Sequence, residues 1–132
     1  MSLIIEDLRK KRDFYCEEGA TVEQIENAER ELGLQFAEDY KEYLEQFGSV
    51  SCGGHELTGF SADAELDVVK VTIENRKRNA NIDKLFYVIE ETHIDGITIW
   101  QTESGEIYEA DYKDKPKKLY ESLAEYVATF ED

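Results

Sequence analysis

His55 and His93 are the only imidazoles in this chain, and Cys16 and Cys52 its only thiols. Nucleophilic catalysis needs a nucleophile, a base within hydrogen-bond reach and a group that orients the base. His55 adjoins Glu56, His93 lies near Asp95, and Cys52 stands three residues before His55 across Gly53-Gly54. A thiolate–imidazole pair requires that glycine loop to fold back on itself, and no second loop offers the backbone donors of an oxyanion hole. The His and Cys spacings fit no zinc pattern, no EF-hand loop with its central glycine and terminal glutamate is legible, and Gly53-Gly54 lacks the Lys-Ser/Thr of a P-loop. Carboxylate pairs are expected by chance among 31 acids, and none stands out. The residues therefore predict no catalytic group, no metal and no cofactor, and the chain reads as a non-enzyme.

Binding chemistry has more to work with. Trp100 stands between Thr98 and Thr102 on a stretch whose other face is Ile97 and Ile99. Two readings are open: the indole packs under a helix, or it joins Tyr108 and Tyr112 in an exposed aromatic patch. The second makes Trp100 and Tyr108, rimmed by Glu90, Asp95, Glu103, Glu106 and Glu109, the candidate partner-binding residues, since an aromatic anchor with a charged rim is a common hot-spot arrangement.

Charge narrows the partner. Across 132 residues, 31 acids against 15 bases give −16. The excess is spread out, with 13 acids and 6 bases in residues 1–48, 9 and 5 in 49–96, and 9 and 4 in 97–132. Such a field repels nucleic acid and anionic membranes and attracts basic proteins, although acidity also serves solubility alone. The basic groups at 76–78 and 113–118 read as solvated faces. With 41% hydrophobic and 11% aromatic residues, disorder is not expected, and the length suits one domain, 1–132. Two cysteines without a framework fit reduced thiols. No signal peptide and no run of roughly 20 apolar residues is legible, so a cytoplasmic location is expected.

The positioning elements follow from periodicity. A first helix is expected from Ser2 to about Glu17, with Ile5, Leu8 and Tyr15 on one side and Arg9 to Arg12 as a solvated strip. Thr21 and Gln24 form a capping box for a second helix, which Gly33 closes. Tyr40, Tyr43, Leu44 and Phe47 lie at i, i+3, i+4 and i+7 of a third. A short strand is expected near Glu56 to Thr58. Residues 67–78 favour strand by local propensity, yet Val69, Ile73 and Arg76 can line a helix, the reading preferred here. Leu85 to Glu90 reads as a central strand, Ile97 to Thr102 and Glu106 to Tyr112 as its antiparallel successors. A Pro116-containing loop follows, then a helix opened by a Ser122–Glu125 box, with Leu123, Tyr126, Val127 and Phe130 inward. Helices, then strands, then a helix make an α+β fold.

Thr21-Val22-Glu23-Gln24-Ile25-Glu26, Ala28 to Gly33 and Glu38-Asp39-Tyr40-Lys41-Glu42-Tyr43-Leu44 resemble the opening of the SUKH superfamily, the Smi/Knr-like proteins. Phe36-Ala37 stands where that pattern usually has Leu-Pro. Glu56 to Phe60 looks like the family's first strand, and Asp67 to Thr72 like its following helix. The resemblance implies a mostly antiparallel sheet flanked by helices and no catalytic residues. For many bacterial members it implies neutralisation of a polymorphic toxin, so the expected partner is a cognate toxin domain, basic in character, with no direct nucleic-acid or membrane contact. The alternative expectation is a regulatory or scaffold module with an endogenous partner. Oligomeric state is not legible.

Overall fold

The computed structural model describes residues 3–113 and 115–132. Helix α1 (Leu3–Lys10) is followed by β1 (Tyr15–Cys16), α2 (Val22–Leu32), α3 (Glu38–Phe47) and the hairpin β2 (Val50–Cys52) and β3 (His55–Glu56). A 3-10 turn (Ala64–Leu66) leads into α4 (Val68–Arg78), then β4 (Tyr87–Glu91), β5 (Thr98–Gln101), β6 (Ile107–Ala110), β7 (Lys117–Tyr120) and α5 (Leu123–Val127). Strands β1-β2-β3 and β4-β5-β6-β7 form two antiparallel sheets. A bridge from Leu57 to Glu90 ties one to the other, and the fold is α+β as expected.

The larger sheet is buried on both faces. Tyr87, Ile89, Ile99 and Ile107 join the main core with α1, α2, α3 and α5, whereas Val88, Trp100 and Ala110 pack with Val71 of α4. The preference for a helix over 67–78 holds. Asp67 caps α4 by accepting from the amides of Val69 and Lys70, and the buried stripe is Val68, Val71, Thr72 and Asn75. It is not the Val69–Ile73–Arg76 line, and Ile73 is exposed.

Three expectations are corrected. The first helix stops at Lys10 because residues 11–13 turn, with Asp13 at φ 57°, and Tyr15 is 61% exposed instead of inward. Lys11 leaves the solvated strip: it is 5% exposed, and its ammonium donates to the Phe130 carbonyl (3.2 Å) and Asp132 (2.7 Å) and pairs with Asp7 (3.2 Å). The Pro116 segment holds a strand where a loop is expected, since Lys117 to Tyr120 complete the sheet as its edge, where lysines discourage pairing with another chain.

Helix ends follow the local chemistry. The Thr21–Gln24 box is reciprocal and Gly33 is left-handed. At α5 only half a box forms: Ser122 accepts from the Glu125 amide, while the Glu125 carboxylate accepts from the amide of Glu121. Ala37 caps α3 without a side-chain bond, and its amide donates to the Tyr87 hydroxyl at 2.9 Å instead. That hydroxyl donates to Gln101 (2.7 Å), whose amide nitrogen donates to Asp39 (3.0 Å), which also accepts from the Leu123 amide (2.8 Å). Asp39 thus ties α3 to the sheet and to the start of α5. Burial holds the Asp39 carboxyl above its ordinary range. At Gly59 the chain passes so close to α3's end that a Cβ would lie 1.8 Å from the Gly48 carbonyl oxygen.

Candidate protein-binding surface

The hairpin of β2 and β3 does fold back across Gly53-Gly54 and sets Cys52 opposite His55. The imidazole is committed elsewhere: its Nδ1 lies 3.1 Å from each carboxylate oxygen of Glu90, and its ring stacks on Phe130 with centroids 3.7 Å apart. Burial first, with the Glu90 charge behind it, pushes the Cys52 thiol up to about 11, which disfavours the thiolate a nucleophile needs. Among the described residues no three His, Cys, Asp or Glu side chains gather as metal ligands. Among the described residues no helix is long and apolar enough to cross a membrane.

Of the two readings of Trp100, the structure takes the first: the indole packs under a helix, and the aromatic patch is not on the surface. Trp100 does pair across the sheet with Tyr108, so the shared face is right, but α4 covers it. Trp100 is 1% exposed and packs with Val71, Val88 and Ala110, and its indole nitrogen has no hydrogen-bond partner among the described residues. Tyr112 is exposed but sits apart, against Gly96 and Arg78. Glu90 is likewise inside, 4% exposed. A bulge after Val88 shifts the register so that Glu90 pairs with Ile99. This turns its side chain from the α4 face to the opposite one, where it accepts from the Tyr126 hydroxyl and the Glu56 amide beside His55. Burial, then the neighbouring Glu90 charge, raises the Tyr126 hydroxyl well above its usual range.

The remaining candidates stay at least partly accessible but do not form one face. Asp95 lies in the exposed β4–β5 turn and Glu103 in the β5–β6 turn, at opposite ends of β5. Glu106 accepts from Lys118 at 3.0 Å, which holds its carboxyl below the ordinary range. Tyr108 is half-buried against Phe86, rings 5.0 Å apart, and Glu109, its neighbour on β6, points to the other side of the sheet.

A different stretch of the chain collects the charge. Residues 17–45 carry ten acids and two bases, −8, which is half of the chain's −16. On α3, Glu38, Glu42 and Glu45 are all exposed at i, i+4 and i+7, and on α2 Glu23, Glu26 and Glu31 are exposed. Lys41 neutralises only Glu29 and Glu38, at 3.8 Å each. Glu18 closes against the end of α3, where its carbonyl meets Gly48. Beside it, Glu17, Glu18 and Asp67, with Thr21, Gln24 and Ser61, line a groove of about 640 Å³. Like charges crowded on adjacent helix faces cost stability, so a partner of opposite sign relieves a tension already present. Counting charge by thirds conceals this concentration; counting it by predicted helix reveals it.

Comparison with known families matches residues 1–130 to the family model SUKH_5, described as SMI1-KNR4 cell-wall. A search of curated proteins found no match.

Proposed function

Because the chain belongs to the SUKH superfamily of SMI1-KNR4-type proteins, we propose that it is an immunity protein that binds and blocks a basic toxin domain in the cytoplasm, without catalysis. The observation that carries this reading is the acidity of α2 and α3, which with Glu17 and Glu18 just before them hold half of the net charge. Complementary charge raises association rates roughly 10–1000-fold, which matters when a toxin must be caught before it acts. Such a face suits a nuclease domain, whose own surface is basic because it binds phosphates.

The test uses the basic toxin domain of any toxin gene found beside this one. Its association rate with this protein is expected to fall at least roughly tenfold as salt rises from about 0.05 to 0.5 M. Reversing Glu23, Glu42 and Glu45 to lysine is expected to flatten that dependence. A rate indifferent to salt removes the charge-steering argument.

The matched model's description, SMI1-KNR4 cell-wall, favours a second reading: a regulatory or scaffold module with an endogenous partner. Recovery of the same partner from cells that lack any toxin gene distinguishes it.

A further inference from the structure

A basic partner needs an apolar anchor as well as charge, and where it docks rests on the reading just given. The turn entering β4 holds Leu85 out at 49% exposure, and the turn is fastened from several sides. Asp83 Oδ1 accepts from the Leu85 amide at 2.8 Å, and the Phe86 amide donates to the Asp83 carbonyl at 3.1 Å. From α4, the Arg76 guanidinium donates to the carbonyls of Lys84, Phe86 (3.5 Å) and Leu32 (3.2 Å). One arginine shared among three carbonyls, two of them in the turn, fixes its path. An exposed leucine on a fastened turn loses little conformational freedom on binding.

Beside Leu85 lies a groove of about 470 Å³, walled by Leu85 and Phe86 on one side and Thr102, Glu103 and Ser104 on the other. Its volume falls in the range of pockets that bury a small ligand or a large side chain. Tyr108 supports the Phe86 ring from behind. Asp83 and Glu103 bring carboxylates to the rim, against the single base Lys84 in the turn. Of the residues singled out in the sequence, Glu103 lines this groove and Tyr108 lies behind Phe86, while Phe86 and Leu85 supply the apolar surface.

We propose that this groove receives a large apolar side chain, aromatic for preference, of the basic partner, with the cationic residues flanking it meeting Asp83 and Glu103. Charge decides for such a partner over a second copy of this chain, because two copies at −16 each repel. Trp and Tyr are the usual anchors at such positions.

The test is an amide chemical-shift titration of the full chain with two synthetic peptides, acetyl-Lys-Arg-Trp-Arg-Lys-amide and the same peptide with alanine for tryptophan. Saturable shifts are expected at Leu85, Phe86, Thr102, Glu103 and Ser104 with the tryptophan peptide. The alanine peptide is expected to bind there at least roughly tenfold more weakly. Leu85→Ser is expected to abolish the difference while leaving the spectrum of a folded protein, since Leu85 makes no part of the core. Equal affinity of the two peptides, absence of shifts at these amides at millimolar peptide, or shifts there that depend only on protein concentration each overturn the proposal. Shifts confined to α2 and α3 overturn the groove while leaving the basic-partner reading intact, so the two fail separately.

Discussion

Replacing Glu90 by alanine is expected to destabilise the protein by about 3 kcal/mol or more, measured as a lower urea midpoint at unchanged m-value. The carboxylate is the common acceptor for the Tyr126 hydroxyl of α5, the Glu56 amide of β3 and the His55 ring. Removing it strands the Tyr126 hydroxyl inside the core, and a buried donor without a partner costs about 1–3 kcal/mol by itself. The junction of the two sheets runs through the same residue, whose backbone bridges Leu57. Glu90→Gln keeps the volume and one acceptor and is expected to cost roughly half as much. A neutral result for alanine would mean that the three donors find water or other acceptors, and the hub would lose its role.

Trp100→Ala is expected to cost about 3–5 kcal/mol, through the cavity left between α4 and the sheet. In a domain whose total stability is about 5–15 kcal/mol, this lowers the melting temperature by roughly 10 °C or more. Trp100→Phe is expected to cost much less, because it removes the indole N–H that is buried without a partner while keeping most of the packing. The variant also separates core from anchor. If Trp100 is core, partner affinity corrected for the folded fraction stays at the wild-type value; if it were an interface anchor, affinity would collapse with stability unchanged.

These two residues show where a one-dimensional reading stops. The face that Trp100 shares with Tyr108 follows from strand alternation, and it was legible. That 67–78 is a helix is the reading preferred from the sequence despite its strand-favouring Val68, Val69, Val71 and Ile73, but which sheet face it covers depends on a stripe, Val68, Val71, Thr72 and Asn75, that the sequence reading does not pick out. Glu90 was misplaced for another reason: alternation puts it on the face of Val88, and the bulge that reverses it has no residue signature in Val88-Ile89-Glu90. Helices α2 and α3 were legible because caps and stripes mark them, at Thr21–Gln24, Gly33 and Tyr40 to Phe47. Strand β7 was hidden by Pro116 and its lysines, which are turn-like in sequence and edge-like in the sheet. The groove at Leu85 depends on Arg76 reaching a turn eight residues on, a contact that spacing alone does not reveal.

The proposal that matters most is that this chain neutralises a basic toxin through the acidic faces of α2 and α3. Its most direct measurement is the survival of cells that express a toxin domain from a gene found beside this one. Wild-type protein is expected to restore growth, and a variant with Glu23, Glu26, Glu42 and Glu45 all changed to lysine is expected to fail although it folds and accumulates equally. Growth arrest that persists with abundant wild-type protein would contradict the account.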